Sequence, residues 1–293
     1  MVRITLAFVS KPRPAPDLPS ALSPLIDAHT HLDACGATDA ASVTAILDRA
    51  ESVGVGRVVT VADDLDAARF AVNAAQWDSR VYAAVAIHPT RANVLDDATK
   101  AEIERLARDR RTVAVGETGL DYYWPGKLDG CADVEQQVEG FRWHIDLAKR
   151  LRKPLMIHNR DADHDVLAVL LDEGAPDTVI FHCFSSGPEM AEACVDAGYV
   201  LSFSGTVSFK NSHELREAAK LVPDHQFLLE TDAPFLTPHP FRGAPNEPYC
   251  LPYTAVSLAE TREQEPEEVA ALATENAERV YGLARQPQSA AGS

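Results

Sequence analysis

Eight short apolar runs, most of them rich in β-branched residues, recur along the chain at residues 25–28, 57–61, 82–87, 112–115, 154–157, 178–181, 199–203 and 226–229. Runs of this length and composition read as strands. Between them lie segments with helical spacing. Residues 42–53 carry apolar side chains at 43, 46, 47, 50 and 53, and 65–76, 98–109, 134–151, 163–173, 188–197, 212–221 and 267–281 read similarly. Eight strand–helix alternations in about 260 residues predict an α/β fold, a (β/α)8 TIM barrel. The competing architecture is an open doubly wound sheet, but no Gly-x-Gly-x-x-Gly follows the first run, which disfavours its dinucleotide-binding form.

The chain has 293 residues and is 46% hydrophobic, enough for one large domain, placed at 24–285. Residues 1–23 form a Pro-rich arm, expected to be extended and poorly ordered, and 286–293 read as a polar tail. The Pro-rich stretch 232–252 lacks periodicity and reads as a long loop after the eighth strand. No run approaches the roughly 18 apolar residues of a membrane span. The opening apolar segment is too short for a secretory signal. Five scattered cysteines, at 35, 131, 183, 194 and 250, have no metal-ligand spacing and suggest reduced thiols in the cytoplasm. A monomer is the expected state. The net charge of −17 argues against nonspecific coating of duplex DNA, which rests on many Lys/Arg–phosphate contacts. It is compatible with an enzyme that handles phosphates through bound cations.

In a barrel of this type the carboxyl ends of the strands converge on one mouth. Those ends carry, in order, His29 and His31, His88, Glu117, His158, His182 and Asp232. His29 and His31 are two apart, so a strand sends both imidazoles from one face, roughly 6.5–7 Å apart. No packing rule asks for so many titratable groups at strand ends, and convergence of this kind points to a metal site. Ligand chemistry suggests a division: His29, His31 and Asp232 on one cation, His158 and His182 on a second, and Glu117 bridging both. Paired cations stabilise the attacking and leaving oxygens of a phosphodiester, and Asp232 is placed to orient a water or take its proton. Such mixed His/carboxylate sites accept Zn, Mn or Mg.

The segments Asp27-Ala28-His29-Thr30-His31-Leu32-Asp33, Gly116-Glu117-Thr118-Gly119-Leu120-Asp121-Tyr122-Tyr123, Ile157-His158-Asn159-Arg160-Asp161-Ala162, Phe181-His182-Cys183-Phe184-Ser185, Glu230-Thr231-Asp232-Ala233-Pro234-Phe235-Leu236 and Asn246-Glu247-Pro248 resemble those of the TatD-type metal-dependent deoxyribonucleases. The resemblance spans residues 24–285 in order and spacing. It implies a TIM-barrel hydrolase of the amidohydrolase superfamily, with one or two divalent cations, Mg first. It implies 3′–5′ exonuclease action on single-stranded DNA or 3′ ends, extending to RNA. It also implies metal ligands at His29, His31, Glu117, His158, His182 and Asp232. Glu117 stands where many superfamily relatives have a carboxylated lysine. Two departures are Ser185-Ser186 before Gly187, in place of Ser-Gly, and Ala244-Pro245 after Arg242-Gly243, where a basic residue is common; one phosphate contact is expected to be missing.

The substrate-binding candidates are His88, Tyr122, Arg160, Lys210 and Arg242, with Tyr123 and Trp124 completing an aromatic cluster on which bases can stack. Arg160 can instead pair with a carboxylate that holds His158 in place. Glu247 is expected in a structural turn contact. His144, His164, His213, His225 and His239 are expected at the surface, and 260–268 as a solvated helix start. An amide or ester hydrolase, such as an aminoacyl-RNA deacylase, is the alternative that the same constellation permits.

Overall fold

The structure, a computed structural model, describes residues 13–22 and 24–284. All eight expected strands form: β1 (Leu25–Thr30), β2 (Val55–Val61), β3 (Val81–Val85), β4 (Thr112–Asp121), β5 (Leu155–Arg160), β6 (Val179–Phe181), β7 (Val200–Phe203) and β8 (Phe227–Leu229). They pair in parallel in chain order. A parallel bridge from Thr30 to Ala233 closes the ring, with the His31 N–H donating to the Ala233 carbonyl at 2.8 Å. The helices around them are α1 (Ala40–Glu51), α2 (Leu65–Trp77), α3 (Asp97–Ala107), α4 (Val134–Leu151), α5 (Asp163–Glu173), α6 (Pro188–Asp196), α7 (His213–Leu221), α8 (Leu251–Arg262) and α9 (Pro266–Tyr281). The chain is thus a (β/α)8 TIM barrel. Asp39, Asp64, Asp96 and Asp133 cap the first four helices by accepting backbone N–H groups of the opening turn.

The strand period sorts side chains between two cores. In β8, Phe227 and Leu229 pack outward against helices while Leu228 points into the barrel. Ile26, Ala28, Val59, Val61, Ala84, Ala114, Met156, Ile180 and Val200 fill the same interior, joined by Val280 and Tyr281 of α9. Two register shifts then change the phase towards the mouth. Between Asp27 and Thr30, β1 has one residue more than β2, and between Val115 and Thr118, β4 has one more than β5. An extra residue of this kind re-aims the side chains beyond it. His29 and His31, and Glu117, take the inward face that strict alternation from Ala28 and Ala114 would deny them.

Three expectations are corrected. The stretch 232–252 is not loop throughout: a 3-10 turn at Pro248–Cys250 leads into α8, which sequence reading missed. Its buried residues, Leu251, Pro252, Thr254, Ala255, Leu258, Ala259 and Thr261, leave no clean apolar stripe, and its proline sits in the first turn, where no N–H is needed. Residues 260–268 accordingly straddle the end of α8 and the start of α9. His144 is buried, 1% exposed, rather than at the surface. Its Nδ1–H donates to the Gly140 carbonyl at 2.7 Å and its Nε2 accepts the Ile87 N–H at 3.2 Å, so a neutral ring joins α4 to the end of β3. Burial pushes its pKa down to about 4. His164, His213, His225 and His239 are exposed.

Of the N-terminal arm, residues 13–22 run without helix or strand against α8, with the Tyr249 and Tyr253 hydroxyls donating to the Pro16 and Asp17 carbonyls at 2.9 Å each. Residues 1–12 and the tail 286–293 lie outside the described residues. All five cysteines are free. No helix among the described residues is long and apolar enough to cross a membrane.

Candidate metal centre

Glu117 sits at the centre of the mouth, 4% exposed. Its Oε2 lies 2.7 Å from His182 Nε2, 3.7 Å from His158 Nδ1 and 4.0 Å from His29 Nε2, and its Oε1 lies 3.8 Å from His88 Nε2. Two glycines let β4 come close enough to β5 for this. A Cβ on Gly116 would meet Met156 Cβ at 2.4 Å, and one on Gly119, at φ +139°, would meet the His158 carbonyl at 2.1 Å.

His29 and His31 bring their Nε2 atoms to 3.1 Å of each other, closer than their strand spacing suggests, because β1 ends between them. The His31 Nδ1–H donates to the Val61 carbonyl at 3.0 Å, which leaves the Nε2 lone pair facing the site. Asp232 Oδ1 is 3.4 Å from His31 Nε2 and 3.7 Å from His29 Nε2. Asp232 adopts a left-handed backbone, φ 52°, directly before Ala233, the bridge residue that closes the barrel. The structure therefore brings together all six expected ligands: His29, His31, Glu117, His158, His182 and Asp232.

Four carboxylates support this group that sequence reading gave no role. Asp121 Oδ2 accepts from His158 Nε2 at 3.0 Å, turning the Nδ1 lone pair towards Glu117. Glu230 Oε1 lies 3.3 Å from His182 Nδ1 and accepts the Cys183 N–H at 2.8 Å. Asp27 accepts the Thr231 N–H at 2.9 Å and its hydroxyl at 2.5 Å, tying β1 to the segment that carries Asp232. Asp63, at the end of β2, lies 3.7 Å from His31 Nδ1. A signal existed for three of them: Asp27 and Glu230 stand two residues before His29 and Asp232, and Asp121 four after Glu117, each beside a candidate ligand in the chain.

Electrostatics follow from this crowding. Burial raises Asp27 to about 8, against the Thr231 hydrogen bonds that favour its charge. Burial also opposes charge on Glu117, but the His182 and His88 rings outweigh it and hold the carboxylate ionised, well below its ordinary value. Burial, reinforced by the neighbouring His182, holds His29 neutral, well below its ordinary value. Burial and the neighbouring His158 push His88 down to about 3.

His88 takes the opposite tautomer to His31. The Thr90 N–H donates to its Nδ1 at 3.2 Å, so the neutral ring presents Nε2–H to the mouth. It is a donor there rather than a lone pair. The four imidazoles of His29, His31, His158 and His182, and two carboxylates, fit a divalent cation by donor chemistry. Buried polar atoms without hydrogen-bond partners, among them His29 Nδ1 and Glu117 Oε2, concentrate here.

The other candidates divide. The Tyr122 hydroxyl donates to Asp165 Oδ2 at 2.7 Å and fastens the end of β4 to α5. Arg160 forms no carboxylate pair with His158's partner. It lies 4.0 Å from the centre of the Tyr123 ring and 5.6 Å from that of Trp124, and Lys127 Nζ is 3.7 Å from the Tyr123 ring centre. Phe235, 53% exposed, places its ring 6.0 Å from His31, an aromatic the sequence reading passed over. Lys210 lines a groove with Tyr253 and Glu260 of α8 that none of the six expected ligands lines. Arg242 stacks 4.4 Å from the Phe209 ring centre. Glu247 pairs with Arg49 Nε at 2.8 Å, a structural contact.

The sequence matches the family described as TatD related DNase over residues 26–282. A Mycobacterium tuberculosis protein named an uncharacterized metal-dependent hydrolase TatD is 65% identical over 259 residues, covering 88% of this chain and 98% of the relative. An Erwinia billingiae protein named a 3′-5′ ssDNA/RNA exonuclease TatD is 33% identical over 246 residues, 81% of this chain and 92% of its own length. The crystal structure of the Escherichia coli TatD homologue YJJV superposes with a TM-score of 0.81 at 28% identity, covering 88% of this chain and 98% of that one. The chain that gathers Glu117, four histidines and Asp232 in one barrel mouth belongs to the TatD-related DNase family.

Proposed function

We propose that this protein is a metal-dependent phosphodiesterase that trims single-stranded DNA from the 3′ end and also acts on RNA. The observation that carries the reading is Glu117, whose two oxygens lie within 4.0 Å of four imidazoles. His29, His31 and Asp232 would hold one divalent cation, His158 and His182 a second, with Glu117 shared. When bound, such a cation lowers the pKa of water and draws charge from phosphoryl oxygens. Magnesium is the first choice, with manganese and zinc as the comparison, since carboxylates suit manganese and imidazoles suit zinc.

The chain's own groups do the rest. Asp232, at the edge of the cluster, orients the attacking water and accepts its proton. His88, held as an Nε2–H donor, binds a phosphoryl oxygen. Tyr123, Trp124 and Phe235 offer faces to unstacked bases, at roughly 1–3 kcal/mol per base. Arg160 and Lys127 neutralise the phosphates between them. Lys210 and Arg242, on the loops after β7 and β8, meet phosphates further along the strand, and Tyr122 fixes the platform rather than touching the base. The Erwinia relative's printed activity supports the substrate class. The acidic surface suits an end-directed, weakly held strand.

The test is digestion of 5′-labelled single-stranded DNA with Mg, Mn, Zn or EDTA, beside Glu117→Ala and Asp232→Asn. A metal-dependent ladder shortening from the 3′ end, absent in both variants, is expected. Intact DNA with metal bound would transfer the site to amide or ester hydrolysis, and aminoacyl-RNA would be the next substrate.

A further inference from the structure

The opposite end of the barrel carries a second concavity. A cleft of about 890 Å³ opens among the starts of β3, β4, β5 and β6 and the end of α9. Six cationic side chains line it, Arg110, Arg111, Lys149, Arg152, Lys153 and Arg279, against one acid, Asp177. In a chain of net charge −17 this is a reversal of sign.

The cations are also unneutralised. Many arginines elsewhere lie on carboxylates, as Arg57 does on Glu278, Arg80 on Asp78 and Arg262 on Asp224. In the cleft the partners are backbone carbonyls. Lys149 Nζ donates to the Glu173 carbonyl at 2.7 Å, Lys153 Nζ to that of Asp109 at 3.0 Å, and Arg111 to that of Ser79 at 2.7 Å. Among the described residues none of the six forms an ion pair with a carboxylate, and Arg110 and Arg152 are exposed.

Helix dipoles account for part of this. The carboxyl ends of α3, α4, α5 and α9 surround the cleft, each equivalent to about half a negative charge. Four such ends offset about two of the net five positive charges, leaving about three. A concavity of this volume is that of a small-ligand site rather than a track for an extended strand. Its position excludes a share in the metal centre, because the whole apolar barrel interior lies between them.

We propose that this cleft is a second binding site, for a compact anion bearing more than one phosphate group. Arg110 and Arg152 supply the free guanidinium groups, and the carbonyl-pinned Lys149, Lys153 and Arg111 supply a fixed positive floor. The assignment does not rest on the nuclease reading, and its readout is binding alone.

The experiment is calorimetric titration of the full chain at low salt in EDTA, which keeps cations out of the mouth, with inorganic tripolyphosphate as probe. The variants are the double reversal Arg110→Glu with Arg152→Glu, the charge-matched reversal Arg105→Glu with Arg108→Glu on α3, and Glu117→Gln. Tripolyphosphate affinity is expected to fall at least about tenfold in the cleft variant and by no more than about twofold in the other two, since local contacts outweigh a screened general field. An equal fall in both reversals, a change of about tenfold confined to Glu117→Gln, or no binding to the parent chain would overturn the proposal. A nucleoside diphosphate arm separates the sources. Equal affinity assigns the phosphates alone, and a gain over tripolyphosphate that the cleft variant abolishes assigns a nucleotide. A single-stranded oligonucleotide that binds through Arg110 and Arg152 and resists displacement by tripolyphosphate would overturn the compact ligand in favour of a nucleic-acid backbone.

Discussion

The two ends of the barrel interior are built from the same strands and do opposite things. Towards the strand starts, Ile26, Met156, Ile180 and Leu228 pack with Tyr281, whose hydroxyl donates to the Ala28 carbonyl at 3.0 Å. A few residues further along the same strands stand His29, Glu117, His158 and His182, crowded together, with polar atoms of His29, Glu117 and His182 left without hydrogen-bond partners. The apolar end wins free energy by close packing. The polar end gives some back, because buried groups with unmet hydrogen-bonding capacity are costly unless a ligand completes them. Stability and chemistry are thus separable in one barrel.

Substitutions at the two ends test that separation. Glu117→Gln should cut nuclease turnover by about a thousandfold, the scale of losing a charge-stabilising group in a water-poor site. The same change should also lower metal-free thermal stability, because Glu117 faces His182 at 2.7 Å and removing one partner of a buried pair strands the other. Unchanged stability would show that the pair contributes nothing to the metal-free fold. Leu228→Ala should instead lose stability alone: about 2–5 kcal/mol in denaturant titrations, with turnover per folded molecule preserved. Turnover falling in step with stability would break the comparison.

His144 gives a pH-dependent version. Its folded pKa, about 4, lies below the ordinary value of 6.5, so the folded state disfavours the proton. Its contribution to stability is complete above pH 6.5 and drains away as pH falls towards 4, on the order of 3 kcal/mol at the limit. Unfolding measured across that window should slope less in His144→Gln than in the parent, and identical slopes would refute the assignment. The smallest effect is expected for Tyr281→Phe, which loses one buried hydrogen bond, about 1 kcal/mol, with activity untouched. A change in turnover there would show that the base of the barrel communicates with the mouth.

Much of the site was legible in the chain because strand ends are legible. Once eight strand–helix units are counted, barrel geometry alone says that His29, His158 and His182 share a mouth. Asp121 and Glu230 were not assigned because their role is to orient another ring, and orientation is invisible in a list of residue types. His144 was misplaced because a lone histidine on a helix gives no sign that a backbone N–H of another element waits for it. The helix α8 escaped because its faces are not sorted by polarity: Val256 on the exposed side is apolar, while Thr254 and Thr261 on the buried side are polar, so no apolar period shows.

By itself the sequence determined the alternation of strands and helices, and with it the closed barrel and the set of side chains at its mouth, because local propensity and hydrophobic period depend on near neighbours. Only the tertiary structure decided the rest. The extra residues in β1 and β4 exist only relative to their partner strands, and they aim His29, His31 and Glu117 inward. The basic cleft exists only because chain closure gathers Arg110, Arg152 and Arg279, residues far apart in sequence, at one end of the ring. Register and long-range convergence are properties of pairs that meet on folding, and no single stretch of chain carries them.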